Sequence, residues 1–296
     1  MLRALTVLIC LVLSPYAARA ADLRQQSLHH DGQSRSYRIY VPDTLNRFPG
    51  PRPLVLVLHG GGGSSREVHY STRGRFDALA EAHGFLVVYP DAIRRVWDTG
   101  SGDISESLRP RRDDDGFLKA VIAEVSSHFQ VDQSRIFATG VSRGGMESLA
   151  LACANPGLIR AIAPVAMTLP EAFATACASG KPLGVALFHG TADPFVPYAG
   201  GHINIGIRDR DAVLSAESSI AIFAKRNGCG APVTRQKGDT AIRSYSGCAA
   251  PTVLYSIEGG GHGWPGGLKA LPGKRAGQMT TDISAPDEIW AFFSRF

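Results

Sequence analysis

A chain of 296 residues that is 44% hydrophobic and 19% charged can bury one large core or two small ones, which excludes a disordered or fibrous protein. Its 31 Lys and Arg against 26 Asp and Glu give a net charge of +5 without any dense basic run, so a nucleic-acid-binding surface is excluded. No C-x-x-C or H-x-x-x-H spacing occurs, and no motif asks for a metal or a cofactor.

The chain opens as a secretory leader. Arg3 supplies the positive start, residues 4–13 are almost wholly apolar, and Ala18-Arg19-Ala20 is a small-x-small cleavage pattern. Cleavage is expected after Ala20, which places the protein outside the cytoplasm, secreted or periplasmic. The apolar run is shorter than the roughly 20 residues that span a bilayer, so no stable membrane association is expected. Lipidation at Cys10 is disfavoured by the bulky Ile9 before it. Losing Arg3 and Arg19 with the leader lowers the charge from +5 to +3. Residues 21–296 read as a single catalytic domain, with no repeat or linker.

Strand-like and helix-like patterns then alternate. Residues 27–30 and 35–41 flank Asp31-Gly32, a hairpin signal. Residues 54–58 form a continuous aliphatic run, as a strand buried on both faces requires. Residues 85–89, 135–139, 161–165, 184–188 and 252–257 repeat that type. Helical patterns lie near 74–82, 115–129, 144–153, 216–226 and 286–296, the last with Asp287 and Glu288 at its positive end. The alternation predicts an α/β fold: a mostly parallel sheet with helices on both faces. Residues 97–113 and 200–211 fit no element and read as loops shaping a cleft. The mature chain keeps Cys153, Cys177, Cys229 and Cys248, an even number that suggests two disulfides in an exported protein. Of the three pairings possible, the sequential one, Cys153 with Cys177 and Cys229 with Cys248, closes the shortest loops and is preferred.

Gly140-Val141-Ser142-Arg143-Gly144 is a weak pattern alone, but it sits between a strand pattern and a helix pattern, the context of a nucleophile elbow. The glycines suit a strained turn, and the helix N-terminus favours the negative charge developing on Ser142. A serine hydroxyl needs a base and a third group to hold that base. After such an elbow the acid comes next and the histidine last. His262, in a glycine-rich stretch after the strand at 252–257, is the candidate base. Asp193, after the strand at 184–188 and stiffened by Pro194 and Pro197, is the candidate acid. Asp91 and Asp282 stand in the wrong order. One oxyanion donor is expected from the Arg143 N–H. The other is expected from Gly60 or Gly61, in His59-Gly60-Gly61-Gly62-Gly63. His59 reads as orienting that loop. The Arg143 side chain suits an anionic substrate group or, preferably, Glu147 at i+4. Trp97 and Trp264 are candidates to line the substrate cleft.

Taken together the chain resembles the family of secreted poly(3-hydroxybutyrate) depolymerases and type-1 carbohydrate esterases, which includes feruloyl and acetylxylan esterases. The likeness is carried by residues 58–64, Tyr89-Pro90-Asp91, Asp113-Asp114-Asp115-Gly116-Phe117 and Gly140–Met146. It continues through Ala163-Pro164-Val165-Ala166, His189–Tyr198, Asn227-Gly228-Cys229 and the stretch from Gly259 to Gly267. It runs from about Ser36 to Phe296. The resemblance implies an α/β-hydrolase fold, a triad falling on Ser142, Asp193 and His262, and a disulfide from Cys229 to Cys248. It also implies a small-molecule or oligomeric ester as substrate. Gly60-Gly61 replaces the Gly-Cys of many polymer depolymerases, and Phe223 replaces a usual tryptophan. No polymer-binding module is expected, which favours soluble oligomers or plant-wall side-chain esters. A serine peptidase of the same fold is the runner-up, and a binding protein on this fold would have a broken triad.

Overall fold

The computed structural model describes residues 23–101, 112–204, 212–268 and 276–296. The expected cleavage site and parts of both expected cleft loops lie outside them. Asp31 and Gly32 both take left-handed φ, 48° and 69°. The chain therefore reverses in two residues and pairs β1 (Arg24–His30) antiparallel with β2 (Gln33–Tyr40), as the Asp-Gly signal predicts.

Next come β3 (Arg52–Leu58), β4 (Leu86–Pro90), β5 (Val131–Val141), β6 (Ala161–Val165) and β7 (Gly184–Gly190). A separate ribbon of β8 (Gly201–His202) and β9 (Ala212–Val213) follows, then β10 (Pro232–Lys237), β11 (Thr240–Tyr245) and β12 (Thr252–Ile257). Ten of these strands form one sheet in the order β1-β2-β4-β3-β5-β6-β7-β12-β11-β10. The six central strands, β4 to β12, are parallel, and the pairs at both ends are antiparallel.

The period-2 alternation of β3 divides the core in two. Leu54, Leu56 and Leu58 pack toward α3 (Asp114–His128), α4 (Arg143–Ala154) and α6 (Ala216–Arg226) through Val121, Leu149 and Ile220. Val55 and Val57 face α1 (Ser65–Ser71), α2 (Arg75–His83) and α7 (Ala285–Phe293) through Val68, Phe76 and Ile289. Each fully buried aliphatic side chain stabilises the fold by about 1.5–3 kcal/mol. Both disulfides form in the sequential pairing. Cys153 at the end of α4 joins Cys177 of α5 (Ala174–Cys177), and Cys229 joins Cys248.

Several elements go beyond the sequence pattern: the short helix α5, the β8–β9 ribbon whose first strand falls in the stretch 200–211 expected to hold no element, helix α1 and the β10–β11 hairpin. Helix α1 is capped by Ser64, whose hydroxyl accepts the Glu67 N–H at 3.2 Å, half of a capping box. The β10–β11 hairpin extends the sheet with a strand exposed along its whole length.

Candidate active site

The carboxyl ends of β3, β5, β7 and β12 carry the glycine loop, Ser142, the Asp193 loop and the His262 loop. Ser142 has φ 55° and ψ −121°, a backbone state that costs a non-glycine residue about 1–3 kcal/mol. Its surroundings enforce it: the Ser142 N–H donates to the Val165 carbonyl at 2.9 Å, and its own carbonyl accepts the Met146 N–H at 2.9 Å. A Cβ on Gly140 would meet the Gly144 carbonyl, and one on Gly144 would strike the carbonyls of Leu58 and His59, so the turn admits only glycine at both positions. Ser142 is also the N-cap of α4. A serine there normally spends its hydroxyl on a first-turn amide. This one does not, and among the described residues Oγ makes no hydrogen bond. It is half-buried at the positive end of the helix.

The acid and base loops are knitted together. The Thr191 and Ala192 amides donate to the carbonyls of Ile257 and Gly260 at 2.8 and 3.0 Å, and the Gly259 N–H donates to Thr191 Oγ1. Across this seam His262 Nδ1 lies 2.7 Å from Asp193 Oδ2. Asp193 Oδ1 accepts the N–H groups of Phe195 and Val196 at 2.8 and 3.0 Å. Burial opposes the charge on Asp193, but His262 and these donors outweigh it and hold the carboxyl below its usual range. An ionised Asp193 fixes the His262 proton on Nδ1 and leaves Nε2 with a lone pair. The structure thus brings Asp193 and His262 together and leaves the Ser142 hydroxyl unbonded. Nucleophile–base bonds are often long before substrate binds.

His189 lies buried behind this pair. Its Nε2–H donates to the Val196 carbonyl at 2.9 Å, while its Nδ1 has no partner among the described residues. Burial lowers its pKa against the pull of nearby Asp193, so the ring is neutral and packs rather than pairs with that carboxylate. The motif His189-Gly190-Thr191-Ala192-Asp193 was legible, but a histidine ending a buried strand gives no sign of its partner.

The glycine loop is held from below. His59 is buried; its Nε2 accepts the Ala92 N–H at 3.0 Å, so its proton sits on Nδ1 and points at the Gly60 carbonyl, 2.8 Å away. Burial lowers its pKa and keeps it neutral, an orienting rather than reacting group. The Gly62 N–H donates to the Arg95 carbonyl at 2.7 Å, and Arg95 Nε donates to the Gly63 carbonyl at 3.0 Å. Arg94 and Arg95 both have left-handed φ, 52° and 63°, which no sequence pattern announces for arginine. The Gly63 N–H turns back on Gly60, whereas the Gly60 and Gly61 amides donate to nothing among the described residues. Gly60 lies against Ser142 and Gly61 against Arg143, where added Cβ atoms would each sit 3.7 Å from those residues' Cβ.

Both tryptophans expected in the cleft are instead in the interior. Trp97 is 0% exposed and donates its indole N–H to the His59 carbonyl at 2.9 Å. Trp264 is 1% exposed and packs edge-on against Phe76 in the core. Their rings are too completely covered to present a face to substrate. Arg143 Nε donates to the Trp97 carbonyl at 3.1 Å, a partner 46 residues away that no local spacing announces. Asp91 accepts from Ser65 N–H and from the Ser36 and Ser65 hydroxyls, and Asp282 from the Asp239 N–H, so both rival acids serve local structure. Among the described residues no cluster of His, Cys, Asp or Glu could hold a metal, and no helix is long and apolar enough to cross a membrane.

No protein-family model matches the chain. A protein of Nocardia uniformis subsp. tsuyamanensis described as "Putative esterase NocK" is 30% identical over 281 residues, covering 86% of this chain and 79% of its own. "Feruloyl esterase D" of Neurospora crassa is 27% identical over 282 residues, 90% of this chain and 83% of that one. "Feruloyl esterase C" of Emericella nidulans is 28% identical over 268 residues, 88% and 83%. Among solved structures, the acetyl xylan esterase from Aspergillus awamori matches with a TM-score of 0.61 over 92% of this chain and 99% of that one. At 17% identity, this is a likeness of fold.

Proposed function

The chain belongs to the esterase family of these relatives and is a carboxylic ester hydrolase of the α/β-hydrolase fold; from that premise we propose that it works through an acyl-enzyme on Ser142, with His262 as base and Asp193 as its support. The observation that carries this reading is the 2.7 Å bond between His262 Nδ1 and Asp193 Oδ2, at the same end of the sheet as the strained Ser142. His262 Nε2 takes the Ser142 proton as Oγ attacks the ester carbonyl, then gives it to the departing alcohol. Water repeats the cycle in reverse and releases the acid. Charge on the carbonyl oxygen falls to the Arg143 amide and to that of Gly60 or Gly61.

The substrates proposed are soluble feruloyl, acetyl or short 3-hydroxybutyrate esters; the leader-like pattern of residues 1–20 and the two disulfides further along the chain support export. The test is Ser142→Ala on p-nitrophenyl acetate, with wild type then run on methyl ferulate, acetylated xylan and 3-hydroxybutyrate trimer. We expect a loss of about 10⁴-fold or more in the variant. Unchanged turnover overturns the nucleophile assignment, and wild-type activity on amides with none on esters overturns the substrate class. Exported protein should begin at Ala21; a retained leader contradicts the location.

A further inference from the structure

We propose that Trp97 is a positioning residue for ester hydrolysis: its indole N–H and the His59 imidazole fix the two peptide planes that carry the candidate oxyanion donors. The inference rests on the oxyanion role of the Gly60–Gly61 segment given above. A peptide unit is planar, with its C=O and N–H pointing in opposite directions. The His59 carbonyl shares a unit with the Gly60 N–H, and the Trp97 indole donates to that carbonyl at 2.9 Å. The Gly60 carbonyl shares the next unit with the Gly61 N–H, and it accepts both His59 Nδ1–H at 2.8 Å and the Gly63 N–H at 2.9 Å. Each candidate donor is therefore aimed by a bond made on the far side of its own plane. A bond accepted by the carbonyl also polarises the N–H of the same unit. Without these bonds, glycines would turn freely.

Trp97 reaches the other half of the hole as well. Its own carbonyl accepts Arg143 Nε at 3.1 Å, so one residue links the glycine loop to the residue that follows the nucleophile. Trp97 is in turn anchored. The next amide, Asp98 N–H, donates to Asp114 Oδ2 at 2.7 Å, and Asp114 is paired with Arg35 in the interior at 2.5 Å. The Asp98 carboxylate accepts the Arg112 N–H, and the Arg112 guanidinium holds the carbonyls of Ile93 and Val96. A tryptophan that merely filled space would need none of this.

The experiment compares wild type with Trp97→Phe and Trp97→His, counting working sites with a p-nitrophenyl phosphonate that reacts at the nucleophile. Rates per titrated site remove losses through misfolding. We expect kcat for p-nitrophenyl acetate to fall about tenfold in Trp97→Phe, less than the 10²- to 10³-fold of deleting a donor outright, with KM held within twofold. Trp97→His keeps a ring N–H and should recover part of the loss. The readout that a structural role would not move is the rate ratio between the ester and its thiono counterpart. Sulfur is a poor hydrogen-bond acceptor, so a loosened hole lowers that ratio. If Trp97→Phe gives no titratable sites, Trp97→His decides by kcat and by that ratio. Unchanged kcat and ratio per site overturn the proposal. Activity retained in Ser142→Ala is the separate result that removes the reading beneath it.

Discussion

The two sides of the candidate site are held by opposite means. On the proposed acid–base side the groups assigned to the chemistry are side chains, and backbone holds them: two amides grip Asp193 Oδ1, and strand-end amides seam its loop to that of His262. On the proposed oxyanion side the groups assigned to the chemistry are backbone amides, and side chains hold them: Trp97, His59 and Arg95 each donate to a carbonyl of residues 59–63. The difference follows from what each group lacks. A carboxylate needs donors that cannot rotate away, and backbone N–H groups supply them. A glycine peptide has no side chain of its own to anchor it, so anchors must come from elsewhere in the fold.

Substitutions can break or sharpen this contrast. The largest effect is expected for Asp193→Asn, which keeps the shape but offers His262 the wrong partner. kcat should drop about 10³- to 10⁴-fold in steady-state assays with little change in melting temperature. A fall below tenfold would mean that His262 is oriented by something else. Replacing Cys153 and Cys177 by serine touches neither side. It should cost about 3 kcal/mol in urea unfolding while kcat holds, so a matching fall in kcat would show the end of α4 to be coupled to the elbow.

Next comes pH. His59 and His189 both have pKa values lowered by burial, so they stay neutral folded while the unfolded chain takes up protons below about pH 6.5. Stability should therefore be full above that value and fall as pH drops through it toward the folded values. Each histidine contributes a slope near 1.4 kcal/mol per pH unit at most. His189→Gln should make the slope between pH 7 and 5 shallower; an unaltered slope removes His189 from the account. The smallest effect is expected for Arg95→Met, which loses the bond to the Gly63 carbonyl but keeps the backbone bond from Gly62. A net hydrogen bond is about 0.5–1.5 kcal/mol, so kcat should fall roughly twofold to tenfold.

The contrast also explains what the sequence disclosed. Strands 161–165 and 252–257 coincide with β6 and β12, because a strand buried on both faces must be a continuous apolar run. Strand β10 is not legible in the sequence because both its faces meet solvent and its residues carry no alternation. For the proposed acid and base, residue identity is the chemistry, so candidates such as Asp193 and His262 are legible by type and order, and the structure sets the two 2.7 Å apart. For the proposed oxyanion hole the chemistry belongs to peptide groups, and the residues that bond those groups are recognisable only by where they lie. Trp97 is legible as a tryptophan but not by its place: it is buried rather than in the cleft, and a pattern of residues does not say whether a ring faces the cleft or underpins a loop.

The account stands most directly on Ser142 carrying the acyl group. Incubating the protein with a fluorophosphonate, digesting it and mapping the adduct by mass spectrometry reads that residue directly. We expect one modified site, Ser142, with ester hydrolysis lost in proportion to labelling and no adduct in Ser142→Ala. An adduct on another serine, or full hydrolysis in protein whose Ser142 is quantitatively labelled, would contradict it.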